Sequence, residues 1–166
     1  MSGNCSLQLP YPKVIGQVTQ REIEKLYDLY AGRFSEMTAI TSYTYQSVIT
    51  SGMPLSDLLE EISVVEMHHL QMLAEVLVTF GADPIFAGAH NYFTCSYTNY
   101  CKSVREFLTT NIDGELAAKE EYLALANTTQ NSSLCELLTR IAMDEEMHAQ
   151  LLKTAYEELF LEPPQI

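Results

Sequence analysis

The chain has 166 residues, enough for one domain with a substantial core, and a formal net charge of −13 with only nine Lys and Arg. So few cations exclude a phosphate-binding surface and, with it, nucleic acid as a partner. The N-terminus lacks the basic start and unbroken apolar run of a signal peptide, and no stretch reaches the length of a membrane span. The four cysteines form no C-x-x-C pair, which excludes zinc-knuckle and rubredoxin-type sites. A cytoplasmic protein with reduced thiols and no membrane association is expected.

Residues 1–18 read as an extended lead-in, because Pro10 and Pro12 restrict their neighbours to non-helical angles. Thr19 with Glu22 forms a capping box, so a first helix is predicted to start there and run toward Thr50. Ile23, Leu26, Tyr27, Tyr30, Phe34 and Met37 recur at the period of its buried face. The turn Ser51-Gly52-Met53-Pro54 leads into a second helix over 54–80, closed by Gly81, and so short a turn makes the two helices antiparallel.

Across residues 81–101 the helical period gives way to Gly, Pro, Asn and aromatic residues. Roughly twenty extended residues span about 60 Å, more than the roughly 40 Å of the helix before them. This segment reads as a crossover that returns the chain to the starting end, so that a third helix over 102–127 runs parallel to the second. A polar turn at 128–132 follows, and Ser133 with Glu136 forms a second capping box for a fourth helix ending near Phe160. Residues 161–166, with Pro163 and Pro164, read as a tail without a fifth helix. The whole is an all-α, up-down-down-up four-helix bundle over 19–160.

The two hairpins repeat. Sliding the sequence by 79 residues brings Glu36 onto Glu115, Tyr43 onto Tyr122, Glu66 onto Glu145 and His69 onto His148. Ala39 then falls on Ala118, Ile62 on Ile141 and Leu73 on Leu152. In Glu66-Met67-His68-His69 and Glu145-Glu146-Met147-His148, Glu and His lie three apart on one helix face. A single such pair is commonly a solvated surface pair. Two copies at one offset, each following another Glu, supply four carboxylates and two imidazoles, the ligand set of a two-metal site in a bundle. That oxygen-rich set suits iron(II) or manganese(II) better than copper or structural zinc.

Tyr43 and Tyr122, two turns beyond Glu36 and Glu115, are positioned to hydrogen-bond a ligand carboxylate across the bundle, or simply to fill the core. Asp144, whose repeat counterpart is Val65, is predicted to accept the outer N–H of His69, leaving His148 in need of another acceptor. His68 reads as a surface residue, Met67 and Met147 as core filler, and Glu60, Glu61, Glu75, Glu120, Glu121 and Glu146 as solvated.

This series, with its two tyrosines and crossover, resembles the ferritin-like superfamily that includes rubrerythrin, bacterioferritin and manganese catalase, over about residues 20–160. The segment Asp113-Gly114-Glu115-Leu116-Ala117-Ala118 with Tyr122 is similar to the corresponding helix of manganese catalases. The resemblance implies metal ligands at Glu36, Glu66, His69, Glu115, Glu145 and His148, and redox chemistry on hydrogen peroxide or dioxygen. The favoured expectation is a di-iron, rubrerythrin-like centre that reduces peroxide with an external electron donor. The alternatives are a dimanganese catalase, which needs no donor, and a protein that sequesters iron or uses metal structurally. A homodimer is expected.

Overall fold

The computed structural model describes residues 5–161. Thr19 caps α1 (Gln20–Ala31) through the expected box, with both reciprocal Thr19–Glu22 bonds present. The helix does not continue to Thr50. At Gly32 the backbone turns extended, and a Cβ there would lie 2.5 Å from the Asp28 carbonyl oxygen, so only glycine leaves the helix this way. Ser35 then caps a new helix, α2 (Glu36–Ile49), by accepting from the Thr38 N–H. The crossover fills the break. Ala89 N–H donates to Asp28 Oδ1 at 2.9 Å, and Gly88 lies so close to Gly32 that a Cβ would come within 3.0 Å of its Cα. Phe34, expected on the buried face of one long helix, is 70% exposed as a result.

The remaining helices follow the sequence more closely. Pro54 opens α3 (Pro54–Thr79), where its missing N–H costs nothing. Ser103 caps α4 (Val104–Thr128). The last helix, α5 (Ser132–Phe160), is capped by Asn131, whose Oδ1 accepts from Leu134 N at 3.0 Å. The Ser133–Glu136 box therefore does not form. Ser133 instead bonds the lead-in at Ile15 and the Asn131 side chain. Pro163 and Pro164 lie outside the described residues.

Across the bundle, Tyr43 bonds Glu115, Tyr122 bonds Glu36, and Asn111 donates to Gln46 at 2.7 Å. Partner numbers on α4 fall as those on α2 rise, so these helices are antiparallel. With short α2–α3 and α4–α5 turns, α3 and α4 then run parallel, the expected up-down-down-up order. No strand forms among the described residues, and the crossover is irregular apart from an isolated antiparallel bridge between Ala87 and Tyr92 and a 3₁₀ turn at Cys95–Tyr97. It is pinned to α2 by Asn99 N–H to Ser42 Oγ and Thr98 to Thr41, both 2.9 Å. No helix of the described residues is long and apolar enough to cross a membrane.

The core divides into two apolar layers. One gathers Leu26, Leu29, Leu73, Leu77, Leu134 and Leu138 around Tyr122. The other gathers Leu55, Leu59, Ile62, Phe107, Leu108 and Leu152 around Tyr43. Each fully buried aliphatic or aromatic side chain contributes about 1.5–3 kcal/mol. These layers hold a polar stratum of buried Glu and His between them.

Candidate metal centre

Four helices each bring one acidic position to the middle of the bundle. Glu36 opens α2, Glu66 with His69 comes from α3, Glu115 from α4, and Glu145 with His148 from α5; all six are buried. Their donor atoms form two groups, Glu36, Glu66, His69 and Glu145 in one, Glu66, Glu115, Glu145 and His148 in the other. Within each group the atoms lie within 4.8 Å of one another.

Glu66 and Glu145 belong to both groups and span them. Glu66 Oε2 is 3.2 Å from His69 Nδ1, and its Oε1 is 2.9 Å from His148 Nδ1. Glu145 Oε1 is 3.1 Å from His69 Nδ1, and its Oε2 is 3.6 Å from His148 Nδ1. Glu36 and Glu115 stand at the two ends, each with one oxygen 3.7 and 3.6 Å from its histidine. Their other oxygens accept from the tyrosines, Tyr122 to Glu36 and Tyr43 to Glu115, both across the bundle as the sequence predicts.

The electrostatics are those of an overfilled acidic cage. Burial, reinforced by the neighbouring Glu66 carboxylate, holds Glu36 and Glu115 well above the usual carboxyl range. Burial pushes Glu66 and Glu145 up as well, and Glu66 adds repulsion on Glu145, but the histidines outweigh this and hold both below it. Both imidazoles are pulled down by burial, yet the carboxylates around them hold them well above their ordinary range.

Even so, Glu66 Oε1, Glu145 Oε1 and His148 Nδ1 are buried without a hydrogen-bond partner. Glu66 Oε1 and His148 Nδ1 are close enough to bond but not aligned to do so. An unsatisfied buried polar atom costs about 1–3 kcal/mol. Three of them converging among four carboxylates and two inward-facing imidazoles fit divalent cations seated between the helices.

Outside the cage the pseudo-symmetry breaks. His69 Nε2 lies 3.3 Å from Asp144 Oδ2, the partner the sequence predicts. Asp144 also accepts from Leu7 N–H at 2.9 Å and Tyr11 O–H at 2.6 Å, and pairs with Arg140 at 2.7 Å. Burial would raise its pKa, but these donors, His69 first, hold it far below the carboxyl range. The acceptor for His148 is a residue the sequence reading did not reach, because it is a main-chain group: the Cys5 carbonyl, 3.0 Å from His148 Nε2.

The lead-in lies along α3 and α5 as a strap. Arg140 donates to the carbonyls of Leu7 and Leu9 and stacks on Tyr11, and the Cys5 thiol donates to Glu61. The signal for it lay in the repeat itself, where Arg140 falls opposite Glu61 and Asp144 opposite Val65.

One imidazole is thus backed by a carboxylate and the other by a neutral carbonyl, and a charged acceptor makes the stronger hydrogen bond and the more basic ligand. Titrating metal into metal-free protein should resolve two affinities. Asp144→Asn, which keeps the shape and removes the charge, should weaken the tighter one by about 10- to 100-fold. Two equal affinities in the parent protein would contradict the asymmetry.

Other expectations divide. His68 is exposed as expected, as are Glu60, Glu75, Glu120, Glu121 and Glu146. Glu61 is half-buried against Cys5. Met67 is exposed rather than core filler.

The fold is ferritin-like. Residues 106–165 match the family model described as Rubrerythrin. Two structures of KatB, a manganese catalase from Anabaena, superpose with a TM-score of 0.81 at 24% identity, covering 96% of this chain and 83% of that one. A dodecameric thioferritin, the bacterioferritin-related protein of Bacteroides fragilis, superposes with a TM-score of 0.67 at 20% identity, covering 86% of this chain and 92% of the other. A hypothetical protein from Pyrococcus furiosus gives 0.66 at 19% identity, over 84% and 90% of the two chains. No curated protein matches the chain.

Proposed function

We propose that the chain holds two divalent transition-metal ions and uses them to break down hydrogen peroxide. Glu36 and His69 would hold one ion, Glu115 and His148 the other, and Glu66 and Glu145 would bridge the pair. The observation that carries this reading is that Glu66 and Glu145 each present one oxygen to each histidine. Bound there, the ions would supply the two-electron exchange with peroxide that no side chain of the cage can perform.

The chain's own residues would do the rest. Tyr43 and Tyr122 occupy one oxygen of each end carboxylate, which leaves the other for the centre and fixes its direction. Asp144 and the Cys5 carbonyl keep the imidazole proton on Nε2, so that Nδ1 points inward as a lone-pair donor. The apolar layers above and below close the stratum along the bundle axis.

Of the two peroxide reactions, we favour disproportionation at a manganese pair. The fuller superposition, over 96% of this chain, is on a manganese catalase, and this reorders the two readings drawn from the sequence alone. The second reading, peroxide reduction at a di-iron pair with an external electron donor, is supported by the match of residues 106–165 to the rubrerythrin model. Oxygen release on adding peroxide to separately manganese- and iron-loaded samples separates them. Sustained oxygen evolution by the manganese form is the expected result. Peroxide consumption by the iron form that stops unless a reductant is added would reverse the order. No consumption by either would leave iron sequestration or a structural metal.

A further inference from the structure

The acidic stratum is open on one side. Between the antiparallel α2 and α4 lies a cleft of about 410 Å³, with Glu36, Glu66, Glu115 and Glu145 among the residues at its floor. Small residues line part of both helical walls, Ala39 and Ser42 on α2 and Gly114 and Ala118 on α4. A Cβ built on Gly114 meets nothing within 4 Å. The helix therefore presents empty space at a position where glycine costs about 1 kcal/mol relative to alanine. Phe34, turned outward by the break between α1 and α2, stands at the mouth.

This space exceeds what hydrogen peroxide requires. A water takes roughly 30 Å³ in the liquid, and peroxide is little larger. The cleft instead falls in the roughly 300–1,000 Å³ range of small-molecule sites. Its walls are mostly carbon, and Arg33, the one cationic side chain among its lining residues, is offset in charge by Asp113, so nothing outside the centre recruits an anion. The guest that fits is neutral, with an apolar body and a polar end directed at the centre.

We infer that the α2–α4 cleft seats the organic part of a neutral hydroperoxide, so that organic hydroperoxides are substrates of the centre alongside hydrogen peroxide. This inference rests on the peroxide-decomposing reading above. The overall reaction balances with hydrogen peroxide as the reductant: ROOH + H2O2 gives ROH + H2O + O2. The O–O bond of the organic hydroperoxide breaks and takes up two electrons, which leave hydrogen peroxide as it becomes O2. The two protons released go to the alkoxide and hydroxide fragments, giving alcohol and water.

The test uses metal-loaded full-length protein, cumene hydroperoxide as substrate, and its alcohol product, cumyl alcohol, as an unreactive probe. Cumyl alcohol should bind saturably, seen as line broadening in ligand-observed NMR. Mixed with hydrogen peroxide, cumene hydroperoxide should yield cumyl alcohol, and because hydrogen peroxide also disproportionates, the O2 released should equal half the sum of the hydrogen peroxide consumed and the cumyl alcohol formed. Gly114→Leu fills the cleft while improving helix propensity. It should lower the turnover of cumene hydroperoxide relative to that of hydrogen peroxide by at least about tenfold, the discrimination a small apolar change in a pocket provides, and abolish the broadening.

If hydrogen peroxide is decomposed but cumene hydroperoxide is not and cumyl alcohol does not bind, the inference falls and the two-metal reading stands. An unchanged preference in Gly114→Leu would overturn it too. If neither peroxide reacts, the two-metal peroxide reading fails and takes the substrate assignment with it, whatever the NMR result.

Discussion

Replacing Glu66 or Glu145 by alanine is expected to remove both metal ions, whereas replacing Glu36 or Glu115 should remove about one. The difference follows from geometry. Each of the first two carboxylates presents an oxygen to both histidines, and each of the second two serves a single group and gives its other oxygen to a tyrosine. Removing a shared ligand also leaves two imidazoles and three carboxylates crowded around a hole, which favours protonation of the cage over metal. Elemental analysis after dialysis gives the stoichiometry, and peroxide breakdown in the Glu66 and Glu145 variants should fall to background. Equal losses in all four variants would contradict the shared role.

Metal removal should be the other large effect. Ligand that binds only the folded chain stabilises it by about 4 kcal/mol at a thousand times its dissociation constant, and each kcal/mol moves the midpoint of a domain this size by about 2–4 °C. A melting temperature lower by roughly 10 °C or more in the metal-free protein is therefore expected.

The gap should widen with pH. In the empty cage Glu36 and Glu115 have raised pKa values, as do His69 and His148, so the folded chain binds more protons at these sites than the unfolded chain does. That contribution is fully present below the unfolded pKa values. It is lost progressively as pH rises above the ordinary values, 4.5 for the carboxyls and 6.5 for the imidazoles, and through the raised values of the folded chain. Glu66 and Glu145, with lowered pKa values, act the other way, but only below 4.5. Metal displaces the retained protons, so stabilisation by metal should grow from about pH 5 to 8. Calorimetric melting of both forms across that range checks it, and a constant or narrowing gap would contradict it.

The convergence of the Glu and His side chains was legible in the sequence because their spacing is periodic. A helix fixes which residues share a face, so the spacings of Glu66 with His69 and Glu145 with His148, and of each tyrosine with its glutamate, translate directly into position. The antiparallel crossing of α2 and α4 then exchanges the tyrosines between hairpins, as the matched spacing implies. The break at Gly32 was not legible by the same reasoning, since the apolar period continues through Phe34 and no proline interrupts it. What decides it is tertiary: Gly88 and Ala89 of the crossover dock against Asp28 and Gly32, and Ser35 re-caps the chain.

The strap was hidden for another reason. Main-chain groups such as the Cys5 carbonyl and the Leu7 N–H carry no sequence signature, so only their partners Arg140 and Asp144 could have betrayed them. The cap of α5 shows how little separates near-equivalent choices. Asn131 and Ser133 are both good caps two residues apart, and contact with Ile15 draws Ser133 away.

The most direct measurement is anomalous diffraction from crystals of protein purified without added metal, collected at the manganese and iron absorption edges. Two peaks per chain are expected, one beside Glu36 and His69 and the other beside Glu115 and His148, with Glu66 and Glu145 reaching both, and with the signal at the manganese edge. A single peak, or two that do not share Glu66 and Glu145, would contradict the bridged pair.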